Sequence, residues 1–226
     1  MRNLLLLTSL ILIVSVANAQ ESETRSVGSF SGIKVMEGID VRLTKGDKES
    51  VRVEVDGMPL SNVITEVSGS FLHIHKAGNS RNRGSAKVFV TYVKVNKLSA
   101  SSAGAIFSEE AILAEDMELS ASSAGSIEIT AQAGSIEASA SSAGEIELQG
   151  KTGKLDISVA SAGQIDAYDL IAQRVNAEAV SAGSIKLSVE DDLVAHASSG
   201  GSIRYHGNPT KSNTNSTSGG SVKKSN

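Results

Sequence analysis

Six carboxylates recur in the second half of the chain at the interval of a sequence repeat. Glu118, Glu137 and Asp156 form one series and Glu128, Glu147 and Asp166 another, with 19 positions between successive members. Oxygen donors set close together on one surface are what a hard cation or a cationic ligand requires. The series change character further on, to Asn176 in the first and to Lys186 and Arg204 in the second. Like charges stacked one strand apart, about 4.8 Å, repel by about 0.9 kcal/mol at water's dielectric, a strain that a solvated surface bears without any metal. Glu128, Glu147 and Lys186 are also the set nearest to the two acids and one base with which polysaccharides are cleaved. A regular column, however, has neither the concavity nor the convergent polar groups of a pocket.

Other reactive side chains carry less. His73 and His75 share one strand face, but no third ligand stands near them in sequence and a metal site needs at least three. His196 and His206 are isolated. The many serines have no histidine at a constant offset, so nucleophilic catalysis has no candidate. Calcium-binding solenoids use a Gly-Gly-x-Gly-x-Asp repeat that does not occur here. Asn215-Ser-Thr217 matches a glycosylation sequon, a weak pattern by itself. No catalytic, cofactor-binding or metal residue is therefore assigned, and the six carboxylates stand as a candidate surface face.

What positions them is a repeat. Ser101-Ser-Ala-Gly-Ala-Ile106 returns as Ser122-Ser-Ala-Gly-Ser-Ile127, Ser141-Ser-Ala-Gly-Glu-Ile146, Ala160-Ser-Ala-Gly-Gln-Ile165, Val180-Ser-Ala-Gly-Ser-Ile185, Ser198-Ser-Gly-Gly-Ser-Ile203 and Thr217-Ser-Gly-Gly-Ser-Val222, with glycines 18 to 21 residues apart. Side chains of a strand alternate between its faces. Four columns then point inward: Ile106 to Val222 two places after each glycine, and Met117, Leu119 and Ala121 with their equivalents eight, six and four places before it. Each period reads as two strand segments joined by a tight Ala-Gly turn and a second, more variable turn. Stacked periods give a single-chain parallel β-helix, a β-solenoid of about seven coils over residues 98–222, right-handed by the crossover rule. Glycine is expected to supply a left-handed or crowded corner, and the serine two places before it to point into that corner. In the last copy Ser212, Thr214 and Ser216 replace the apolar residues, as a polar cap should, leaving 223–226 as a tail.

Ahead of the repeats, residues 27–97 alternate in short runs, Ile33 to Val35, Ile39 to Leu43, Val51 to Val55, Val63 to Val67, Phe71 to His75 and Val88 to Val93. Each reads as a half-buried strand. Residues 78–85 form a polar, basic loop, and residues 20–29 a polar, loose leader.

Residues 4–16 are apolar behind Arg2 and end at Ala17-Asn18-Ala19, the pattern of a secretory signal peptide on residues 1–19. The run is too short for a transmembrane span, so the mature chain is expected to be exported, to the periplasm, the outer envelope or the medium. There is no cysteine, which excludes disulfides, thiolate sites and a lipid-modified cysteine. Without Arg2, 20 basic residues face 25 acidic ones, a net charge of −5 that gives no reason to expect nucleic acid as a partner. Four Phe, three Tyr and no Trp imply a narrow core of aliphatic side chains.

Phe30-Ser-Gly-Ile-Lys-Val35, Val90-Thr-Tyr92 leading into Leu98-Ser-Ala-Ser-Ser-Ala-Gly104, the serial Ser-Ala-Gly-x-Ile turns, Gly207-Asn-Pro209 and Ser218-Gly-Gly-Ser221 together resemble the family called putative auto-transporter adhesin, head GIN domain, over residues 27–222. The resemblance implies an exported bacterial β-helical protein and supplies no catalytic residues. It agrees with a non-enzymatic envelope or surface protein that binds glycan or protein through a regular solenoid face. A polysaccharide lyase or hydrolase on the same scaffold and a purely structural envelope protein are the alternatives.

Overall fold

The computed structural model describes residues 21–78 and 84–225; the expected signal segment and most of the 78–85 loop lie outside them. Eight short strands come first: β1 (Glu21–Arg25), β2 (Gly32–Val35), β3 (Ile39–Lys45), β4 (Ser50–Asp56), β5 (Val63–Ser68), β6 (Phe71–Lys76), β7 (Ser85–Tyr92) and β8 (Lys97–Ser101). Five long ones follow, β9 (Ala105–Ser122), β10 (Ser126–Ser141), β11 (Glu145–Val159), β12 (Gln164–Ala179) and β13 (Ser184–Ala197), and then β14 (Ser202–His206), β15 (Lys211–Ser216) and β16 (Ser221–Lys224). Each long strand pairs in parallel with the next, and on either side of the Ser-Ala-Gly corner the repeats align residue for residue. Ile127 sits between Ile106 and Ile146, and Glu128 opposite Glu147. The result is a β-solenoid of about seven turns.

The four inward columns are buried in one continuous core. Two further columns join them: Ile129, Leu148, Ala167 and Leu187 four places after each glycine, and Ile112, Ala131, Leu170 and Val189 beyond it. In β10 the buried positions run 127, 129, 131 and then 136, 138, 140. This slip in the alternation marks the second corner of the coil. Long strands bend there, with register shifts near the bend in three of their four pairings.

The Ser-Ala-Gly corner differs from expectation. Ser123 and Ala124 take the left-handed conformation (φ 50° and 59°), as do their equivalents in the other coils, and the Gly125 N–H closes the turn on the Ser122 carbonyl at 2.9 Å. Two consecutive positive φ values with that bond make a type I′ turn. The serine hydroxyls do not fill the corner. Ser102, Ser123, Ser142, Ser161, Ser181, Ser199 and Ser218 are exposed, because the turn swings them outward. What stacks is backbone: the Ala124 N–H donates to the Ser142 carbonyl of the next coil at 3.1 Å, and the Ala103 N–H to that of Ser123.

The repeat glycine serves close approach and not the left-handed turn. A side chain on Gly125 would overlap the Ala100 carbonyl, and one on Gly163 would come within 2.6 Å of the Ala140 oxygen. Most repeat glycines thus lie over the alanine column of the preceding coil, with Gly104 over Val35 and Gly183 over Val159, so the small columns require each other.

The stack continues into the N-terminal section. β2 and β3 turn through Glu37 and Gly38, both left-handed, and pair in parallel with β8 and β9. β6 and β7 add a further parallel layer on β2 and β3. Beyond them the direction reverses: β5 pairs antiparallel with β6, β4 with β7 and β1 with β4. The polar leader is consequently not loose, since its residues 21–25 are β1, an edge strand paired to Val51–Val55 of β4. At the other end Ser212, Thr214 and Ser216 of β15 align with Leu193, Ala195 and Ala197 and face solvent.

Among the described residues one buried side-chain polar group is uncompensated. Tyr92 is 3 % exposed, and its hydroxyl has no hydrogen-bond partner among the described residues. Burial, then the Glu110 charge, raises its pKa above 10. A folded-state pKa above the unfolded one means that the neutral form is favoured in the fold, so this group's contribution is complete below pH 10 and is lost as pH rises past it. Tyr92→Phe should stabilise the protein by about 1–2 kcal/mol and flatten the fall in melting temperature above pH 10.

The corner geometry makes its own predictions. Gly125→Val and Ile127→Asp should each cost about 3 kcal/mol or more. Ser126→Glu, which copies the aligned Glu145, should be tolerated. Ala124→Gly should stabilise by up to about 1 kcal/mol, because alanine bears the left-handed strain there. Chemical denaturation of the four variants checks these values.

Candidate functional site

The six carboxylates fall into two straight rows on the two segments into which the second corner divides each long strand. Glu118, Glu137 and Asp156 align on the segment that enters the Ser-Ala-Gly corner, whereas Glu128, Glu147 and Asp166 align on the segment that leaves it. Buried residues alternate with both rows and pack into the shared core, so each row looks out from its own segment. They do not make one acidic face.

Cations bound both rows. Lys97 pairs with Glu118 at the head of the first, and Lys154 reaches Asp156 within 2.7 Å. In the second, the Lys186 Nζ donates to the Asp166 Oδ2 at 2.8 Å, and this bond together with the carboxylate's charge raises the Lys186 pKa. Lys186 is two coils beyond Glu147 and is held by Asp166, so Glu128, Glu147 and Lys186 do not converge as a cleaving set. Among the described residues no three His, Asp or Glu side chains form a metal-sized group. His75 lies 3.9 Å from Glu66, and His73 sits beside Phe71 with ring centroids 6.3 Å apart.

Tracing the second row toward the N-terminus reveals side chains that no sequence pattern singled out. Glu128 is followed by Phe107, Arg42, Phe89 and Arg52, each directly opposite the next on paired strands. Arg42 lies over the Phe107 ring at 5.4 Å and Arg52 over Phe89 at 4.0 Å; Lys34 covers Phe71 in the same way at 4.4 Å. Cation–π contacts of this kind hold rings at the surface at a modest gain in stability. At the other end of the solenoid, His206 stacks on Tyr168 with centroids 4.1 Å apart. Arg42 and Phe107 are far apart in sequence and meet only through strand register.

The second corner carries a groove of about 580 Å³. Its floor is Ala114, Ala133 and Thr152 with Gly134 and Gly153, and Gln132, Lys151, Ile171, Gln173 and Glu190 line the rest. Thr152 is buried and spends its hydroxyl on the Lys154 carbonyl at 2.9 Å. The Ile171 side chain, by contrast, is 54 % exposed, and Leu113, in the same column, is 58 % exposed. Large aliphatic side chains held in water beside amides and a lysine are unusual on an otherwise short-chained surface.

These features define a parallel β-solenoid whose inward columns stay apolar from coil to coil, while its outward positions mix the two repeated acidic rows with columns that change residue type. The chain belongs to the family described as putative auto-transporter adhesin, head GIN domain, which matches residues 29–209. Similar crystal structures include a putative adhesin from Bacteroides fragilis NCTC 9343 (TM-score 0.80, 18% identity, covering 92% of this chain and 98% of that one). Another is a putative adhesin from Parabacteroides merdae ATCC 43184 (0.75, 16%, 92% and 96%). A third, from Parabacteroides distasonis ATCC 8503, is described as a putative lipid binding protein (0.66, 20%, 92% and 97%). At these identities the likeness is one of fold. No curated protein matches.

The acidic row yields a prediction. Glu147 stands between Glu128 and Asp166, so Glu147→Lys replaces two repulsions by two attractions. At low ionic strength the variant should be more stable by about 0.5 kcal/mol, and the gain should vanish in about 1 M salt. Thermal melts at both salt concentrations read this directly; a lower midpoint at low salt would mean that the row is held together by something other than solvent.

Proposed function

We propose that this is an exported protein of the cell envelope or surface that binds an extended ligand, a glycan or polypeptide chain, along the groove at the second corner, without transforming it. The observation that carries the reading is the contrast between columns. Inward columns stay apolar from coil to coil, whereas the groove column changes from Leu113 to Gln132, Lys151 and Ile171. Packing explains sameness; it does not ask for this variety.

From β9 to β13 the groove crosses five coils, four intervals of about 4.8 Å, or roughly 19 Å. That length accommodates about six residues of extended polypeptide or a short run of a linear glycan. Ile171 and the alanine floor offer apolar contact, while Gln132, Gln173, Lys151 and Glu190 offer donors and acceptors, the mixture that ligand sites use. Export is supported by the apolar run at residues 4–16 with its Ala17-Asn18-Ala19 exit and by the family. Among the described residues no helix is long and apolar enough to cross a membrane.

Immobilised protein beginning at Gln20 should retain members of a glycan array or of a library of extended peptides. Ile171→Asp combined with Lys151→Glu should weaken that binding by about tenfold or more while leaving the melting temperature within about 2 °C. Silence on both arrays, or equal binding by the double variant, would defeat the reading.

A further inference from the structure

We propose that the depression bounded by Phe107, Arg42 and Glu128 is a binding site for a single pyranose ring that carries no acid group, a neutral or amino sugar. It lies on the stretch that leaves the Ser-Ala-Gly corner, beside the groove, since Thr130 and Gln149 stand two residues from the groove's Gln132 and Lys151, but it has its own lining and does not depend on the groove's being occupied.

The depression is a product of irregularity. The interval from Gly104 to Gly125 is 21 residues where the next two are 19, and the extra length falls at residues 109–111, where pairing between β9 and β10 shifts register next to Ile129. Glu109 is thereby raised as a wall beside Phe107, and Glu128, Thr130 and Gln149 complete a hollow of about 400 Å³. That volume is within the range of small-ligand sites. Phe107 occupies the outward position that is acidic in the three following coils, so the one ring in the hollow replaces a repeated carboxylate.

Arg42 is fixed from two sides, over the Phe107 ring at 5.4 Å and against the Glu109 carboxylate at 3.4 Å. Its charge is thus largely answered. The side chains of Glu128, Thr130 and Gln149 take part in no hydrogen bond or ion pair among the described residues and stay available as acceptors and donors. A half-exposed aromatic ring with planar carboxylate, amide and guanidinium groups at its rim suits a ring that is apolar on one face and hydroxylated at its edge. The sign of the charge decides the class: two carboxylates against one guanidinium, with Glu147 aligned one coil away, repel a uronic or sialic acid and accept a neutral or protonated amino sugar.

The test is calorimetry and ligand-observed NMR on protein beginning at Gln20, with the methyl glycosides of glucose, galactose, N-acetylglucosamine and glucosamine, and methyl glucuronide as the acidic counterpart. At least one of the four non-acidic sugars should bind with a dissociation constant in the millimolar range, and the glucuronide about tenfold more weakly than the glucoside. Phe107→Leu, which keeps apolar bulk and loses the ring, should weaken binding about tenfold with an unchanged melt, and Phe107→Trp should retain it. Ile171→Asp should have no effect, which separates this site from the groove. No saturable binding by any of the four at about 50 mM, equal binding by Phe107→Leu, or a glucuronide that matches the glucoside would overturn the assignment.

Discussion

Everything in this solenoid depends on how closely two backbones approach at the Ser-Ala-Gly corner. The glycine of one coil lies over the alanine carbonyl of the coil before it, at Gly125 over Ala100 and Gly144 over Ala121, with no room for a β-carbon. That proximity lets the turn itself join the sheet, since the N–H of the left-handed alanine reaches the serine carbonyl of the next coil. A turn that would otherwise leave polar groups to solvent is thereby paired, as buried or stacked backbone must be. In five coils two residues, and in the last two a single serine, carry a conformation that L side chains disfavour by about 1–2 kcal/mol each, and the continuous stacking on both sides of the corner offsets it.

With the corner fixed, the rest of the coil has little freedom. Coils stay in register, the isoleucine after each glycine falls on the isoleucine below, and the core is a set of straight columns. The same registration aligns the outward positions. Like charges are forced into rows, which the chain relieves with lysines at Lys97, Lys154 and Lys186, and rings are forced beside cations at Arg42 and Arg52. The surface is concave along the second corner, where the groove crosses five coils, and again where the longer first coil raises Glu109 beside Phe107. Function in such a scaffold is to be sought where periodicity fails.

This explains what could be read from the amino acids and what could not. The four inward columns and the short N-terminal strands were legible because packing repeats one residue type with strand periodicity. The column through Ile129 and Leu148 was missed because Ser108 and Tyr205 interrupt its apolar character. The corner was misread in part because glycine is the residue most often left-handed, yet here serine and alanine take that conformation and glycine serves proximity. β1 was hidden by its polar composition, natural for an edge strand with nothing to bury. The two acidic series are visible as residues, but their placement on opposite sides of the second corner, the Arg42–Phe107 contact and the groove all require register between distant segments, which no local pattern contains.

The central claim, that the corner turns are part of the sheet, is tested most directly by residue-resolved amide hydrogen exchange. Turn amides at an exposed corner should exchange almost freely. Here the N–H groups of Ala103, Ala124, Ala143, Ala162 and Ala182, although their side chains are exposed, should be protected to nearly the same degree as core strand amides such as that of Ile127, because each is bonded to the next coil. Exchange of these five amides at the rate of unstructured peptide, with Ile127 still protected, would contradict the account.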